Sequence, residues 1–255
     1  MEQQLRNNTN ELVIFMHIPK TGGGTLNSIL KKQYQEIEVI RSGGFWGDKQ
    51  PWKNQFSKNK TKMLQCIRGH FPFGIHDQFP RKSTYCTMLR DPVERLISLY
   101  YHIMSSPDNR MYPKAKGLTM KQFMESEDFK IQTENMQTRQ VSGGISPNLD
   151  LAKENLQNYF SVVGITDMYN ESLFFMGQEL GWSNYNINYK KKHVNPNRLT
   201  RDQIPIDVIN MIEKKNELDI QLYNLSKQNL IERIDQLDRT TKEKLNNFSP
   251  FSSKK

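Results

Sequence analysis

The sequence predicts an α/β fold in which a central, mainly parallel sheet is flanked by helices and followed by a helical C-terminal region. Three observations carry this. The run ELVIFMHI at 11–18 is continuously apolar between polar residues in front and a proline behind, the pattern of a strand buried on both faces. It passes into three successive glycines and then into apolar residues at helical spacing, Leu26, Ile29 and Leu30, so strand, turn and helix follow directly. Two further apolar runs, MLQCIRGH at 63–70 and STYCTML at 83–89, read as buried strands.

Between these elements, residues 41–60 are rich in Gly, Lys and Asn and read as a long loop, and FPFGIHDQFPRK separates the second and third runs. Over 92–104, Val93, Leu96, Ile97, Tyr100 and Tyr101 form one stripe, with Glu94, Arg95, Ser98 and His102 on the other side. Asp91 as N-cap, Pro92 at the first helical position and Glu94 three residues after the cap mark its start. Helical segments follow at 119–127, 133–141 and 149–159, then a strand, SVVGIT at 161–166, and a helix at 170–180. In the charged final third, Leu218, Leu222 and Leu225, then Leu230, Ile234 and Leu237, read as packing stripes that fold back on the sheet. One domain over 1–246 and a disordered tail over 247–255 are expected, without internal repeats.

The chain has 255 residues, ordinary for one α/β domain, and a net charge of +9 that favours anionic partners: nucleotide, acidic glycan, nucleic acid or membrane surface. No stretch reaches the roughly 20 apolar residues of a membrane span, and MEQQLRNNTNE has no apolar signal core, so the expected location is cytoplasmic. Cys66 and Cys86 sit in apolar runs without metal-ligand or CxxC spacing and read as buried reduced thiols; no metal is expected.

The glycine turn carries the chemistry. A loop that leaves a buried strand and enters a helix presents backbone N–H groups and the positive helix end to a phosphate or another tetrahedral oxyanion. Lys20 adds a charge, Thr21 and Thr25 add hydroxyls, and Gly22, Gly23 and Gly24 allow close approach of the backbone. In the nucleoside-triphosphate loop, GxxxxGK[ST], the lysine follows the glycines; here it precedes them, and GxGxxG is not matched either.

HIPKTGGGTL resembles the 5'-phosphosulfate loop of sulfotransferases that use 3'-phosphoadenosine 5'-phosphosulfate (PAPS), and LRDPVERLISLYYH at 89–102 resembles their 3'-phosphate element. With RGHFPFG at 68–74, ENMQTRQVSGG at 134–144 and VGITDMYNESL at 163–173 in order, the chain is similar to the branch holding the heparan sulfate 2-O- and 6-O-sulfotransferases and their bacterial relatives. The resemblance implies a P-loop NTPase-like three-layer fold and sulfuryl transfer from PAPS to a hydroxyl of a saccharide or glycan-like acceptor, with PAP as product. It implies that Lys20, Thr21, Gly22, Gly23, Gly24 and Thr25 hold the phosphosulfate, and that Arg90 and Ser98 hold the 3'-phosphate. His70 becomes the general base, and Lys20 also stabilises the leaving oxygen. Gln137, Thr138 and Arg139 are expected on the acceptor side.

The basic run YKKKHVN at 189–195, ending at Asn195, is either a loop near nucleotide or acceptor or a solvated charge run. Related loops more often read PKTGGTT, so Gly24 removes one hydroxyl. His17, His76, His102 and His193 have weaker claims than His70, His17 being read as a buried strand end. Two other readings stay open: a P-loop kinase or other nucleotide-dependent phosphotransferase, and a basic nucleic-acid-binding protein.

Overall fold

The computed structural model describes residues 11–40, 63–182 and 197–248. The expected loop at 41–60, the basic run at 189–195 with Asn195, and His193 lie outside the described residues.

Five parallel strands form one sheet in the order β2-β3-β1-β4-β5: β1 Leu12–Met16, β2 Ile37–Ile40, β3 Cys66–Gly69, β4 Ser83–Leu89 and β5 Phe160–Ile165. β1 lies in the middle, and Leu12, Ile14, Phe15 and Met16 are fully buried, which is why this run lacks polar alternation. From β1 the chain builds β2 and β3 on one side and then crosses to β4 and β5 on the other. The loop after β1 therefore meets the loops after β3 and β4 at the carboxyl edge, where parallel sheets open a crevice.

Among the described residues the α-helices are α1 Gly23–Gln33, α2 Pro92–Met104, α3 Tyr112–Ala115, α4 Met120–Glu125, α5 Lys130–Thr133, α6 Met136–Ser142, α7 Leu149–Tyr159, α8 Tyr169–Glu179, α9 Ile206–Lys215, α10 Glu217–Asp235 and α11 Arg239–Asn247. α2 begins as its cap signals require: the Asp91 carboxylate accepts from the Glu94 N–H at 2.9 Å, with Pro92 next. Arg95 departs from the polar side expected of it. It is fully buried and donates to the Gln132 carbonyl at 2.8 Å, because α2 is covered by a second apolar cluster that includes Phe123, Phe129, Ile209 and Ile212. Burial pushes its guanidinium down to about 10.

α10 is rotated from the expected Leu218–Leu222–Leu225 stripe. Its buried face is Asp219, Leu222, Tyr223, Ser226 and Leu230, while Leu225 is 39% exposed. Asp219 turns inward because it accepts from the N–H groups of Gln137 and Thr138 at 3.0 and 2.7 Å, capping the start of α6. β2 is a further strand that the apolar-run pattern missed, since Glu38 interrupts it. α11 reaches Asn247, and the Phe248 ring lies 5.7 Å from that of Phe174. Cys66 and Cys86 are buried and free. Among the described residues no helix is long and apolar enough to cross a membrane.

Candidate functional site

The loop after β1 turns through two left-handed residues, Lys20 at φ 71° and Gly22 at φ 82°. A lysine in that region is uncommon and needs to be held. Several groups hold it. The buried Thr21 hydroxyl donates to the Ile18 carbonyl at 2.9 Å, Arg90 Nη1 donates to the Lys20 carbonyl at 3.1 Å, and the Tyr169 hydroxyl donates to the Gly22 carbonyl at 3.0 Å. The Thr166 hydroxyl is within reach of the Thr21 and Leu89 carbonyls, at 3.0 and 2.9 Å. This loop is thus tied to the ends of β4 and β5.

Gly23 opens α1 and answers a specific steric demand: a Cβ there would lie 1.9 Å from His17 Nε2. The His17 ring therefore rests on the first turn of α1, where Gly24 and Thr25 follow and no acidic residue competes for the positive helix end.

Cations crowd this loop. Burial first, then the charges of Arg90 and Arg198, push the Lys20 ammonium down to about 8, and no carboxylate pairs with it among the described residues. Arg90 donates from Nη2 to Glu94 Oε2 at 3.2 Å, and Arg198 bonds the same carboxylate. Burial and Arg198 lower Arg90, with Glu94 opposing. Ser98 sits one helical turn beyond Glu94 on α2 and is partly exposed.

His70 follows β3 on the other side. Its Nδ1 is 2.8 Å from the His17 carbonyl oxygen. That oxygen can only accept, so Nδ1 carries the proton and Nε2 presents a lone pair. The His17 and His70 rings stack at 4.3 Å, and His17 stacks in turn on Phe15 at 5.5 Å. Burial lowers His70, partly offset by its bond to the His17 carbonyl. Burial, then the charges of His70, Arg68 and Lys20, holds His17 well below the usual imidazole range. A neutral imidazole with an open lone pair beside an excess of cations can accept a proton near a bound oxyanion.

The sequence-predicted residues divide. Lys20, Thr21, Gly22, Gly23, Gly24, Thr25, His70 and Arg90 come together at the carboxyl edge of β1, β3 and β4. Gln137 lies beside them with both amide ends committed to the main chain of Arg90. Arg139 donates to the carbonyls of Glu134 and Ile145, the first at 3.2 Å. Thr138 uses its N–H on Asp219. Sequence reasoning missed Glu94 and Arg198, and also Thr166, Tyr169 and Gln140, whose Nε2 donates to the His17 and Phe71 carbonyls at 3.1 and 3.0 Å. A helical wheel places Glu94 on the polar side of α2 without saying what it meets. A lone arginine after residue 196 carries no local signal.

The family model described as "Sulfotransferase family" matches residues 3–226. The heparan-sulfate 6-O-sulfotransferase 1 of Cricetulus griseus is 23% identical over 278 residues, an alignment covering 86% of this chain and 67% of that protein. The heparan-sulfate 6-O-sulfotransferase 2 of Gallus gallus is 23% identical over 283 residues, covering 88% and 68%. The chain thus spans about two thirds of the length of these relatives. Among solved structures, a sulfotransferase from Alicyclobacillus acidocaldarius superposes with a TM-score of 0.47 at 13% identity, covering 84% of this chain and 95% of that one. Mouse sulfotransferase SULT7A1, complexed with PAP, superposes with a TM-score of 0.43 at 13% identity, covering 94% and 89%.

Proposed function

The chain belongs to the sulfotransferase family, and from that premise we propose that it is an O-sulfotransferase moving a sulfuryl group from PAPS to a hydroxyl of a saccharide or glycan-like acceptor. The observation that carries the reading is the convergence of Lys20, Arg90 and Arg198 on a glycine loop at a helix start, with Lys20 lacking a carboxylate partner among the described residues. Three partly buried cations with the single Glu94 carboxylate among them leave positive charge over for a ligand bearing more than one negative group. The residues present therefore fit PAPS, with the loop 20–25 toward its 5' end and Arg90 and Ser98 toward its 3'-phosphate.

PAPS supplies, when bound, an activated sulfuryl group whose transfer releases PAP. His70 Nε2 takes the proton of the acceptor hydroxyl, its tautomer set by the Nδ1–H bond to the His17 carbonyl. With the donor bound, the Lys20 ammonium would meet the negative charge that grows on the oxygen leaving sulfur. Glu94 keeps Arg90 and Arg198 together, and the contacts from Thr166 and Tyr169 keep the loop in its left-handed turn. The saccharide acceptor is supported by the heparan-sulfate relatives.

Transfer of labelled sulfate from PAPS into a panel of polysaccharides, small glycosides and lipid extracts tests the reading. Label in a saccharide hydroxyl is the expected result. Label in none of them, or only in lipid, contradicts it.

A further inference from the structure

Gln140 is fully buried in α6, and its side chain ends beside the histidine that the sulfotransferase reading makes the base. Its Nε2 donates to the His17 carbonyl at 3.1 Å and to the Phe71 carbonyl at 3.0 Å. Both partners are oxygens that only accept, so the amide can meet them only through its NH2 end, and both of its N–H bonds are used. The main-chain carbonyl of Gln140 accepts from the Phe73 N–H at 2.9 Å. One residue of α6 thus grips the chain directly after His70 in two places.

The His17 oxygen is also the atom that His70 Nδ1 bonds, at 2.8 Å. It receives two donors, one from the imidazole and one from the amide, so whatever fixes this oxygen fixes the ring. Gln140 Oε1, by contrast, is shut off from solvent without a hydrogen-bond partner. Burying an amide oxygen unpaired is costly, and the compensation lies in the two bonds at Nε2.

We infer that Gln140 is a positioning residue for the transfer step: through the His17 and Phe71 carbonyls it sets the orientation and the Nδ1–H tautomer of His70, leaving Nε2 as the atom that takes the proton. This rests on the sulfotransferase reading and adds to it the group that holds the base.

The amide also acts on the charge of the ring. The His17 carbonyl favours the protonated imidazole, against the larger effect of burial. A second N–H directed at that oxygen weakens the preference. Removing it leaves the His17 oxygen to His70 alone and takes this donor from the Phe71 carbonyl, and both changes favour the imidazolium. The titratable and charged groups around the two rings are His17 itself, Arg68 of β3 and Lys20 of the glycine loop. Arg139 of α6 donates to the Glu134 and Ile145 carbonyls, the first turn of α1 holds no acidic residue, and His76 Nδ1 lies 3.0 Å from the Tyr85 hydroxyl. None of these bonds involves Gln140, so a change there reaches His70 through the two carbonyls.

The test uses the full chain, isotopically labelled at its histidine nitrogens and loaded with adenosine 3',5'-bisphosphate. The wild type and Gln140→Met, which keeps the side-chain length and removes the donor, are titrated with pH by NMR. The pH dependence of kcat/KM is measured on both with the saccharide that takes label from PAPS. In the wild type His70 is expected as the Nδ1–H tautomer, with a midpoint below 6.5. Gln140→Met is expected to raise that midpoint by about half a pH unit or more and to move the acidic limb of kcat/KM the same way. An unchanged or lowered midpoint overturns the positioning role, however much activity falls. Should Gln140→Met fail to bind the bisphosphate, Gln140→Asn, whose amide falls one methylene short of the two carbonyls, is read in its place with the same expected direction. Loss of bisphosphate binding in both variants also overturns the proposal, since a role confined to His70 leaves the nucleotide site intact. A midpoint that moves while the acidic limb stays put contradicts His70 as base. Failure of the wild type itself to bind the bisphosphate contradicts the sulfotransferase reading, so these failures are distinguishable from that of Gln140.

Discussion

The side-chain amide of Gln137 closes two hydrogen bonds on the main chain of Arg90: its Oε1 accepts from the Arg90 N–H at 3.0 Å and its Nε2 donates to the Arg90 carbonyl at 2.9 Å. The N–H of Gln137 is held in turn by Asp219 of α10 at 3.0 Å. A buried side chain thus transmits the position of the C-terminal helices to the arginine assigned to the 3'-phosphate. Gln137→Ala leaves both main-chain groups of Arg90 without these partners, at a cost of about 1–3 kcal/mol in stability. It is expected to weaken bisphosphate binding several-fold while changing kcat less. Calorimetric titration beside steady-state kinetics reads both; unchanged affinity removes Gln137 from the donor site.

His70→Ala removes the proposed proton acceptor and leaves the proposed nucleotide-binding residues in place. A fall in kcat of about 10²–10⁴ is expected, with bisphosphate affinity retained. Full activity in this variant ends the assignment of His70 as base.

Gly23→Ala places a methyl group 1.9 Å from the present position of His17 Nε2. The ring has Phe15 and His70 stacked on it, so it cannot yield without moving His70. Gly23→Ala is expected to lower both melting temperature and kcat. Adding His17→Ala frees the space, so the double variant should recover part of the loss that the glycine change causes. A double-mutant cycle measures this: strictly additive effects would show that the two positions do not meet.

The stacked histidines predict how stability depends on pH. Both are lowered in the folded chain relative to the usual imidazole value of 6.5. As pH falls through 6.5, the unfolded chain takes up protons that the native chain does not, so unfolding becomes more favourable. The loss continues until pH drops below the folded-state values. Each histidine that stays neutral in the fold contributes at most about 1.4 kcal/mol per pH unit in that window. Denaturant titrations between pH 7.5 and 5 on wild type and His17→Phe, which keeps a stacking ring without a titrating nitrogen, should show a shallower decline in the variant. Identical slopes would contradict a neutral, buried His17.

Much of the frame was legible because its signals are local. β4 and α2 begin and end as their apolar run and cap residues require, and α7 covers the expected 149–159. The glycine loop was legible as a residue pattern, His70 and Arg90 were reached through the family resemblance, and the sheet order brings all three to one edge. What was not legible depends on contacts between distant elements. Arg95 and Asp219 look like solvent residues on a helical wheel, yet packing from elsewhere buries both. Glu94 acquires its meaning only when Arg198, 104 residues away, reaches it. His17 reads as a buried strand end, and only the fold reveals a ring set between α1 and His70.

The central claim is that the Lys20 loop and Arg90 grip two phosphate positions of one nucleotide. Direct titration with adenosine 3',5'-bisphosphate and with adenosine 5'-monophosphate, on wild type and Arg90→Ala, tests it without reference to acceptor or turnover. The account predicts that the wild type binds the bisphosphate about tenfold or more tightly than the monophosphate, and that Arg90→Ala erases this difference. Equal affinity of the wild type for the two nucleotides, or a preference that survives in Arg90→Ala, would contradict it.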